Sequence, residues 1–399
     1  MQVSIIGMGC GNIELQTEEA RNALRSAELV IGASRLLKML PEDCTALRIA
    51  EYRPDAICAA IADQNKSSCC VLYSGDSGFY SGAYGLLNCL RERNIPARVL
   101  PGISSVQLFS ARLGQPWQSW RLVSAHGVSC DAVSEVMQGA PVFFLTGGAL
   151  TPRELCQQLT DAGLGKLTVT VGENLSYPNE QIIAGTAAQF AEREFAPLSV
   201  MLCEAAPETK RVPSGIVDDA FFRGSVPMTK QEVRAVLMGK LAVHPEETVW
   251  DVGGGTGSVS VELALAASRG HVYSIECNPE ACDLIRRNRE AFGTWNLSVI
   301  AGTAPEALFD LPAPDAVFIG GTKGHLDEIV DCICQKNPRA RICISAIAVE
   351  TLGMAAAVLS KRGFQTEIVQ IAVSRSKKAG NLNLLTANNP VFLITGVPQ

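Results

Sequence analysis

Apolar runs of four to six residues alternate along the chain with stretches whose apolar positions recur every three to four residues. The first pattern is that of strands covered on both faces, the second that of amphipathic helices. In the first half it predicts strands near Val3–Gly7, Cys70–Ser74, Ala97–Leu100, Pro141–Thr146, Leu167–Val171 and Leu198–Cys203. Helices are predicted near Thr17–Ala27, Gly82–Arg93, Ser104–Leu113 and Pro152–Ala162. In the second half Thr229 and Glu232 have capping-box spacing, so a helix is predicted to start there and run to about Leu241. Strands Thr248–Val252, His271–Ile275, Leu297–Ala301, Ala316–Ile319 and Arg341–Ala346 follow, alternating with helices Val259–Ala267, Pro279–Phe292, Gly324–Lys336 and Val349–Arg362. A strand pair near Phe364–Ser374 and Pro390–Thr395 closes the chain.

Such alternation predicts an α/β protein. A length of 399 residues suits two domains. The stretch from Ala205 to Ser214 is polar and holds two prolines, so the expected division is 1–205, a linker at 206–214, and 215–399. The second domain reads as one doubly wound sheet. Ligands of such sheets bind beyond the carboxyl ends of the strands, where the strand order reverses. Asp251, Glu276, Gly302-Thr303 and Gly320-Gly321 fall at such ends, so four loops converge on one crevice.

The chemistry of that crevice is written in Val249-Trp-Asp-Val-Gly-Gly-Gly-Thr-Gly257 and in Glu276, 19 residues further on. Bare backbone at Gly253, Gly255 and Gly257 with Thr256 lets a ligand approach, and an acid at the end of the next strand suits two ribose hydroxyls. A dinucleotide fingerprint counted from Gly253 and Gly255 needs a third glycine where Ser258 stands, so the spacing favours S-adenosylmethionine (SAM) over NAD. Backbone amides at Thr303-Ala304 are placed to read an adenine edge, and Gly320-Gly321 leaves space beside the methyl group. In the first half, Gly7-Met-Gly-Cys-Gly11, Ser74-Gly-Asp-Ser-Gly-Phe-Tyr-Ser-Gly82 and Pro101-Gly-Ile-Ser-Ser105 each put small residues after a strand, which suits a second nucleoside-type ligand. Gly75-Asp76 with Phe79 and Tyr80 combines open backbone, a carboxylate and aromatic walls.

Composition narrows the partners. Hydrophobic residues make up 47% and charged residues 19%, so the chain is globular. A formal net charge of −6 without a Lys/Arg block argues against nucleic acid. The 14 cysteines include no Cys-x-x-Cys pair, so they read as buried hydrophobes in a reducing compartment, with no metal site. The N-terminus carries no basic leader, and no apolar run reaches membrane-spanning length. A soluble, cytoplasmic protein is expected.

The first half resembles the tetrapyrrole methylases of cobalamin synthesis, in the branch that methylates carbon 5. The resemblance lies in the three loops above, in Ser124-Ala-His-Gly127 and in Gly172-Glu-Asn-Leu-Ser-Tyr-Pro-Asn-Glu180. The second half resembles the decarboxylating carbon-15 methyltransferases of the same pathway. There the matches are Gly215-Ile-Val-Asp-Asp-Ala-Phe221, Arg223-Gly-Ser-Val-Pro-Met-Thr-Lys230, Asp251 to Ser258, Ala304-Pro-Glu-Ala307, Phe318-Ile-Gly-Gly321 and Asn389-Pro-Val-Phe392. Departures are Cys10 and Ser77 where proline is usual, Gly254 where Cys or Ala is usual, and Thr303 where Asp is common.

The resemblance implies an N-terminal tetrapyrrole-methylase fold of two α/β subdomains and a C-terminal class I Rossmann-like SAM methyltransferase. It implies one SAM site per domain. Gly7, Gly9, Gly75, Asp76, Ser77, Phe79, Ser104, Ser105 and Thr146 would form the first, and Thr229, Asp251, Gly253, Gly255, Thr256, Gly257, Glu276, Thr303, Ala304 and Gly320 the second. The implied substrate is a carboxylate-fringed tetrapyrrole, methylated at carbons 5 and 15 and decarboxylated at the carbon-12 acetate. Arg223, Lys230 and Arg375 are candidates for its acid groups, and His126, Lys230, Asp315 and His325 for acid–base or anchoring roles. A homo-oligomer, dimeric through the first domain or tetrameric through the second, is also implied. Two alternatives stay open: an RNA methyltransferase, and a pairing of one catalytic half with a non-catalytic half that presents substrate.

Overall fold

A computed structural model describes residues 2–40, 44–207 and 214–398. Residues 208–213 of the expected linker lie outside the described residues. The chain divides into two compact units, Met1–Cys130 with Ala140–Gln157 and Gly165–Glu204, and Asp131–Gly139 with Gln158–Leu164 and Ala205–Gln399.

The first half forms two sheets. Strands β1 (Gln2–Gly7), β2 (Leu29–Gly32), β3 (Leu47–Ala50), β4 (Ser68–Tyr73) and β5 (Ala97–Leu100) make a parallel sheet of order β3-β2-β4-β1-β5. Along β1, Val3 and Ile5 enter one buried cluster and Ile6 the cluster on the other face, which is why the run is continuously apolar. Strands β6 (Arg121–Ser124), β7 (Val142–Leu145), β8 (Thr168–Glu173), β9 (Gln181–Thr186) and β10 (Ser199–Cys203) make the second sheet, in order β6-β7-β10-β8-β9. Only β6 and β7 run parallel there. The sequence pattern missed β2, β3, β6 and β9. Three of these are edge strands with partly exposed residues, and β2 is only four residues long.

The second half contains β11 (Thr248–Val252), β12 (His271–Glu276), β13 (Leu297–Ala301), β14 (Ala316–Ile319), β15 (Arg341–Ala346), β16 (Phe364–Ile371), β17 (Ser374–Ala379), β18 (Leu382–Ala387) and β19 (Val391–Pro398). Seven of them form a sheet of order β13-β12-β11-β14-β15-β19-β16, with β19 antiparallel to both its neighbours. The expected closing pair is β16 and β19. An unforeseen hairpin, β17–β18, lies between them, its residues mostly exposed, and the polar, charged run Ser374–Lys378 of β17 gives no strand signal. Strand order reverses between β11 and β14, so their carboxyl ends open the crevice.

The helix after Lys230 departs from expectation. It spans Gln231–Leu241 with Lys230 as its N-cap, and neither Thr229 nor Lys230 caps it with a side chain. Asp218 does so from a distance, its Oδ1 accepting from Gln231 N at 2.9 Å. Glu232, expected to complete a capping box, instead accepts from Arg375 Nε at 2.9 Å.

Beside it, Arg234 is 0% exposed. Its Nε donates to Glu262 Oε1 at 2.9 Å and its Nη1 to Asp218 Oδ1 at 3.0 Å, and it also donates to the carbonyls of Thr229 and Ile216. Glu262 in turn accepts from Gly215 N and Ile216 N, both at 3.2 Å. No helix among the described residues is long and apolar enough to cross a membrane.

A buried ion pair that loses one charge leaves the other uncompensated. Glu262→Gln is therefore expected to lower unfolding stability by about 3–5 kcal/mol, measured by urea titration.

Candidate functional site

At the carboxyl ends of β11, β12, β13 and β14 lies a cavity of about 670 Å³. Its floor is the turn after β11. Gly253 there has φ +82, and a Cβ on it would come within 2.7 Å of Gly321 N, so two stretches of main chain touch where a side chain would part them. Asp251, at the end of β11, is fully buried and lines the cavity. One of its oxygens accepts from Ser260 Oγ, and Ser260 lies 2.8 Å from Ser274 Oγ. Its Oδ1 has no partner, and neither has the buried Thr256 Oγ1. Burial pushes the Asp251 carboxyl up to about 7, against the opposing Ser260 hydrogen bond.

Glu276 behaves oppositely. Burial raises its pKa, but backbone hydrogen bonds outweigh burial and hold it below the usual carboxylate range. Its Oε2 accepts from Gly255 N at 2.9 Å, and its Oε1 from Cys277 N at 2.8 Å and Asn278 N at 2.9 Å. The cavity thus holds one firm anion and one carboxylate poised between its two forms.

Thr229, Lys230, Gly255, Thr303, Ala304 and Gly320 also line it. Gly257 does not; it is the N-cap of helix Ser258–Ala266, with φ +79. Four further candidates lie outside the lining. Asp315 stands at the amino end of β14, away from the cavity, where its Oδ2 accepts from Thr248 N at 2.9 Å. His325 caps helix Leu326–Lys336 and lies 3.7 Å from Glu328, outside the lining. Arg375 is committed to Asp218 at 3.0 Å and Glu232 at 2.6 Å. Arg223 pairs at 3.2 Å with Asp219 on the surface. Lys323 and Ile347 line the cavity without having been anticipated; each sits in a loop after a strand, and that position was the available signal.

The first unit holds a second cavity, of about 230 Å³. Gly75, Asp76, Phe79, Ser105, His126 and Thr146 line it, as do the unforeseen Arg35 and Tyr177. A Cβ on Gly75, whose φ is +67, would meet nothing within 4 Å and would project into open space. Asp76 braces two loops: its Oδ2 accepts from Gly78 N at 2.8 Å and its Oδ1 from Gly102 N at 3.2 Å. Thr146 Oγ1 donates to the Ser199 carbonyl at 2.6 Å. The His126 ring lies on Gly147, where a Cβ would come within 2.0 Å of Nδ1. That Nδ1 is 3.3 Å from the Thr146 carbonyl. A carbonyl only accepts, so this contact places a proton on Nδ1 and leaves Nε2 as the ring's acceptor whenever the ring is neutral.

Gly7, Gly9, Ser77 and Ser104 lie outside the lining. Gly7 packs on Gly102, Gly9 bridges to Gly75, and Ser104 is spent in a capping box with Gln107. They shape the loops and do not touch the cavity.

Residues 2–191 match the Tetrapyrrole (Corrin/Porphyrin) Methylases and residues 220–396 the Precorrin methyltransferase domain. Fold and matches together define a SAM-dependent tetrapyrrole methyltransferase, with a tetrapyrrole-methylase domain followed by a Rossmann-type domain. The chain is 32% identical over 400 residues to a Sinorhizobium precorrin-6Y C(5,15)-methyltransferase (decarboxylating), with 98% of this chain and 95% of the relative covered. It belongs to the decarboxylating precorrin-6Y C(5,15)-methyltransferases. Its second half is 40% identical over 184 residues to a probable cobalt-precorrin-6B C(15)-methyltransferase (decarboxylating) of Pyrobaculum calidifontis, covering 45% of this chain and 94% of the relative. A crystal structure of a precorrin-6Y C5,15-methyltransferase from Geobacter metallireducens, 35% identical, aligns with a TM-score of 0.45 over 47% of this chain and 100% of that one.

The larger cavity fits a cationic, ribose-bearing donor. Its two orphaned polar atoms, Asp251 Oδ1 and Thr256 Oγ1, lack partners that such a ligand or its water would supply. Glu276 is a preformed anion.

A carboxyl whose pKa rises from 3.8 to about 7 on folding leaves the native state holding more protons than the unfolded one across that window. Stability therefore falls as pH climbs from 3.8 to 7 and levels off above. Asp251→Asn is expected to remove this fall and to be the more stable protein at pH 8, by on the order of 4 kcal/mol. Thermal melts of both proteins without ligand, at pH 5 and pH 8, check it. The same variant is expected to bind S-adenosylhomocysteine more weakly.

Proposed function

We propose that this chain methylates carbons 5 and 15 of a precorrin macrocycle and removes carbon dioxide from its carbon-12 acetate, in corrin-ring synthesis. One donor site serves each half, with residues 1–205 acting at carbon 5 and residues 215–399 at carbon 15. The observation that carries this reading is a pair of separate cavities, each floored by glycine main chain beyond strand ends.

When bound, SAM supplies an electrophilic methyl group to a nucleophilic ring carbon. The protein's task is then mostly positioning, an effect that can reach about 7–11 kcal/mol. In the second half Glu276 takes the ribose hydroxyls, Gly253, Gly255 and Thr256 cradle the methionine part, and Thr303 and Ala304 border the adenine. Lys230 meets a substrate carboxylate from the lip. In the first half Gly75, Phe79, Ser105 and Thr146 border the donor. Nε2 of the neutral His126 ring accepts the proton released at carbon 5. The substrate is a small molecule and not a nucleic acid, which the net charge of −6 supports. The enzyme is read as a cytoplasmic homo-oligomer.

Titration calorimetry with S-adenosylhomocysteine is expected to give two equivalents per chain. Glu276→Ala should leave one. Gly75→Asn should leave the other, since asparagine tolerates the left-handed backbone and fills the open space. A single equivalent in the unaltered protein contradicts the two-site reading. His126→Ala is expected to slow carbon-5 methylation by about 10²-fold or more while carbon-15 methylation continues, as followed by product mass.

A further inference from the structure

Lys323 stands in the loop after β14, between Thr322 and Gly324, and lines the larger cavity. Its φ is +47. A residue with a Cβ seldom adopts that backbone, and such positions gather where a group must be held in one place. Thr322 Oγ1 accepts from Gly324 N at 3.3 Å and braces the turn that carries it. Cys277 and the Glu276 carboxylate nearby raise the pKa of the Lys323 ammonium. It therefore stays charged near neutral pH and is a poor proton donor. Glu276 already accepts three backbone N–H groups, so it needs no lysine to stay ionised. Lys323 is exposed on the cavity lining, so its ammonium is open to a ligand.

Across the loops, Ile347 follows β15, lines the same cavity and is 65% exposed. The cavity lining thus offers a cation in one loop and an uncovered apolar side chain in another.

Decarboxylation decides which substrate group each one meets. The bond between the acetate methylene and its carboxylate breaks, carbon dioxide leaves uncharged, and the electron pair stays on the methylene and the conjugated ring. One solvent proton then gives a methyl group. A cation on the departing carboxylate would stabilise the starting anion more than the neutral product, and would slow the step. An apolar neighbour does not.

Building on the function proposed above, we propose that Lys323 anchors a carboxylate the macrocycle retains, while the acetate to be lost faces the apolar lip at Ile347. The strained backbone is then the cost of fixing the anchor.

The test uses the full chain with a precorrin-6-type macrocycle, SAM, and product analysis by mass. Lys323→Gly is expected to raise KM for the macrocycle about tenfold or more. S-adenosylhomocysteine affinity and the share of decarboxylated product should stay unchanged. Its melting temperature should be no lower than that of the unaltered protein, because glycine suits the left-handed backbone. Lys323→Arg should recover most of the KM. Ile347→Lys is expected to accumulate a methylated product that retains its carboxylate.

Unchanged KM in Lys323→Gly overturns the proposal. So does a shift of that variant toward carboxylate-retaining product, which would put Lys323 on the departing group. A parallel loss of S-adenosylhomocysteine affinity also overturns it, since the lysine would then act through the donor. Complete decarboxylation by Ile347→Lys removes the apolar lip from the scheme. An unaltered enzyme that methylates no carbon of the macrocycle refutes the parent reading, which is a distinguishable result.

Discussion

The wall of the larger cavity hangs on a guanidinium that water never reaches. Arg234 is fully buried, and burying it would be prohibitive without Glu262, Asp218 and two carbonyls around it. Those partners come from segments that have no other reason to meet. Glu262 lies on the helix behind the glycine turn and Asp218 on the segment entering the domain, while Arg375 reaches Asp218 from β17. The cavity-lining stretch Val226–Lys230 lies in sequence between Asp218 and Arg234. Both ends of that stretch are therefore pinned to one charge cluster, and its register against the turn after β11 follows.

Within the cavity, two carboxylates on the adjacent strands β11 and β12 are driven in opposite directions by their surroundings. Asp251 has only Ser260 to hydrogen-bond it, so dehydration dominates and its proton is held more tightly. Glu276, only partly buried, collects three amides, and these more than offset its dehydration. The first unit holds its loops by close main-chain packing and one carboxylate. Gly7 and Gly102 are so close that a Cβ on either would lie within 2.8 Å of the other's backbone, and Asp76 then ties the loops with its carboxylate.

Much of this was readable from residue order. The strands of the second half, the glycine turn, Glu276 and the convergence of four loops follow from apolar runs covered on both faces and from what stands after them. The edge strands β3, β6 and β9 were not readable, because one side of each meets water and the run breaks up. Arg35 was lost with β2, since a residue after an unrecognised strand has no address. Asp315 was misplaced for a different reason: it precedes the parallel strand β14, at the end opposite the crevice. The spacing of Thr229 and Glu232 was sound as a local rule, but an arginine 143 residues away captured the acid. Pairings of that span leave no local trace.

The hydroxyl beneath the glycine turn carries one further consequence. Gly254 stands where relatives of this kind commonly have a small side chain, and a Cβ there would come within 2.2 Å of Ser274 Oγ. Ser274 occupies that volume and reaches Asp251 through Ser260. Positions 254 and 274 therefore compete for a single pocket of space. Lineages that restore alanine or cysteine at the first should have surrendered the serine at the second, so the two columns of a family alignment ought to change in concert.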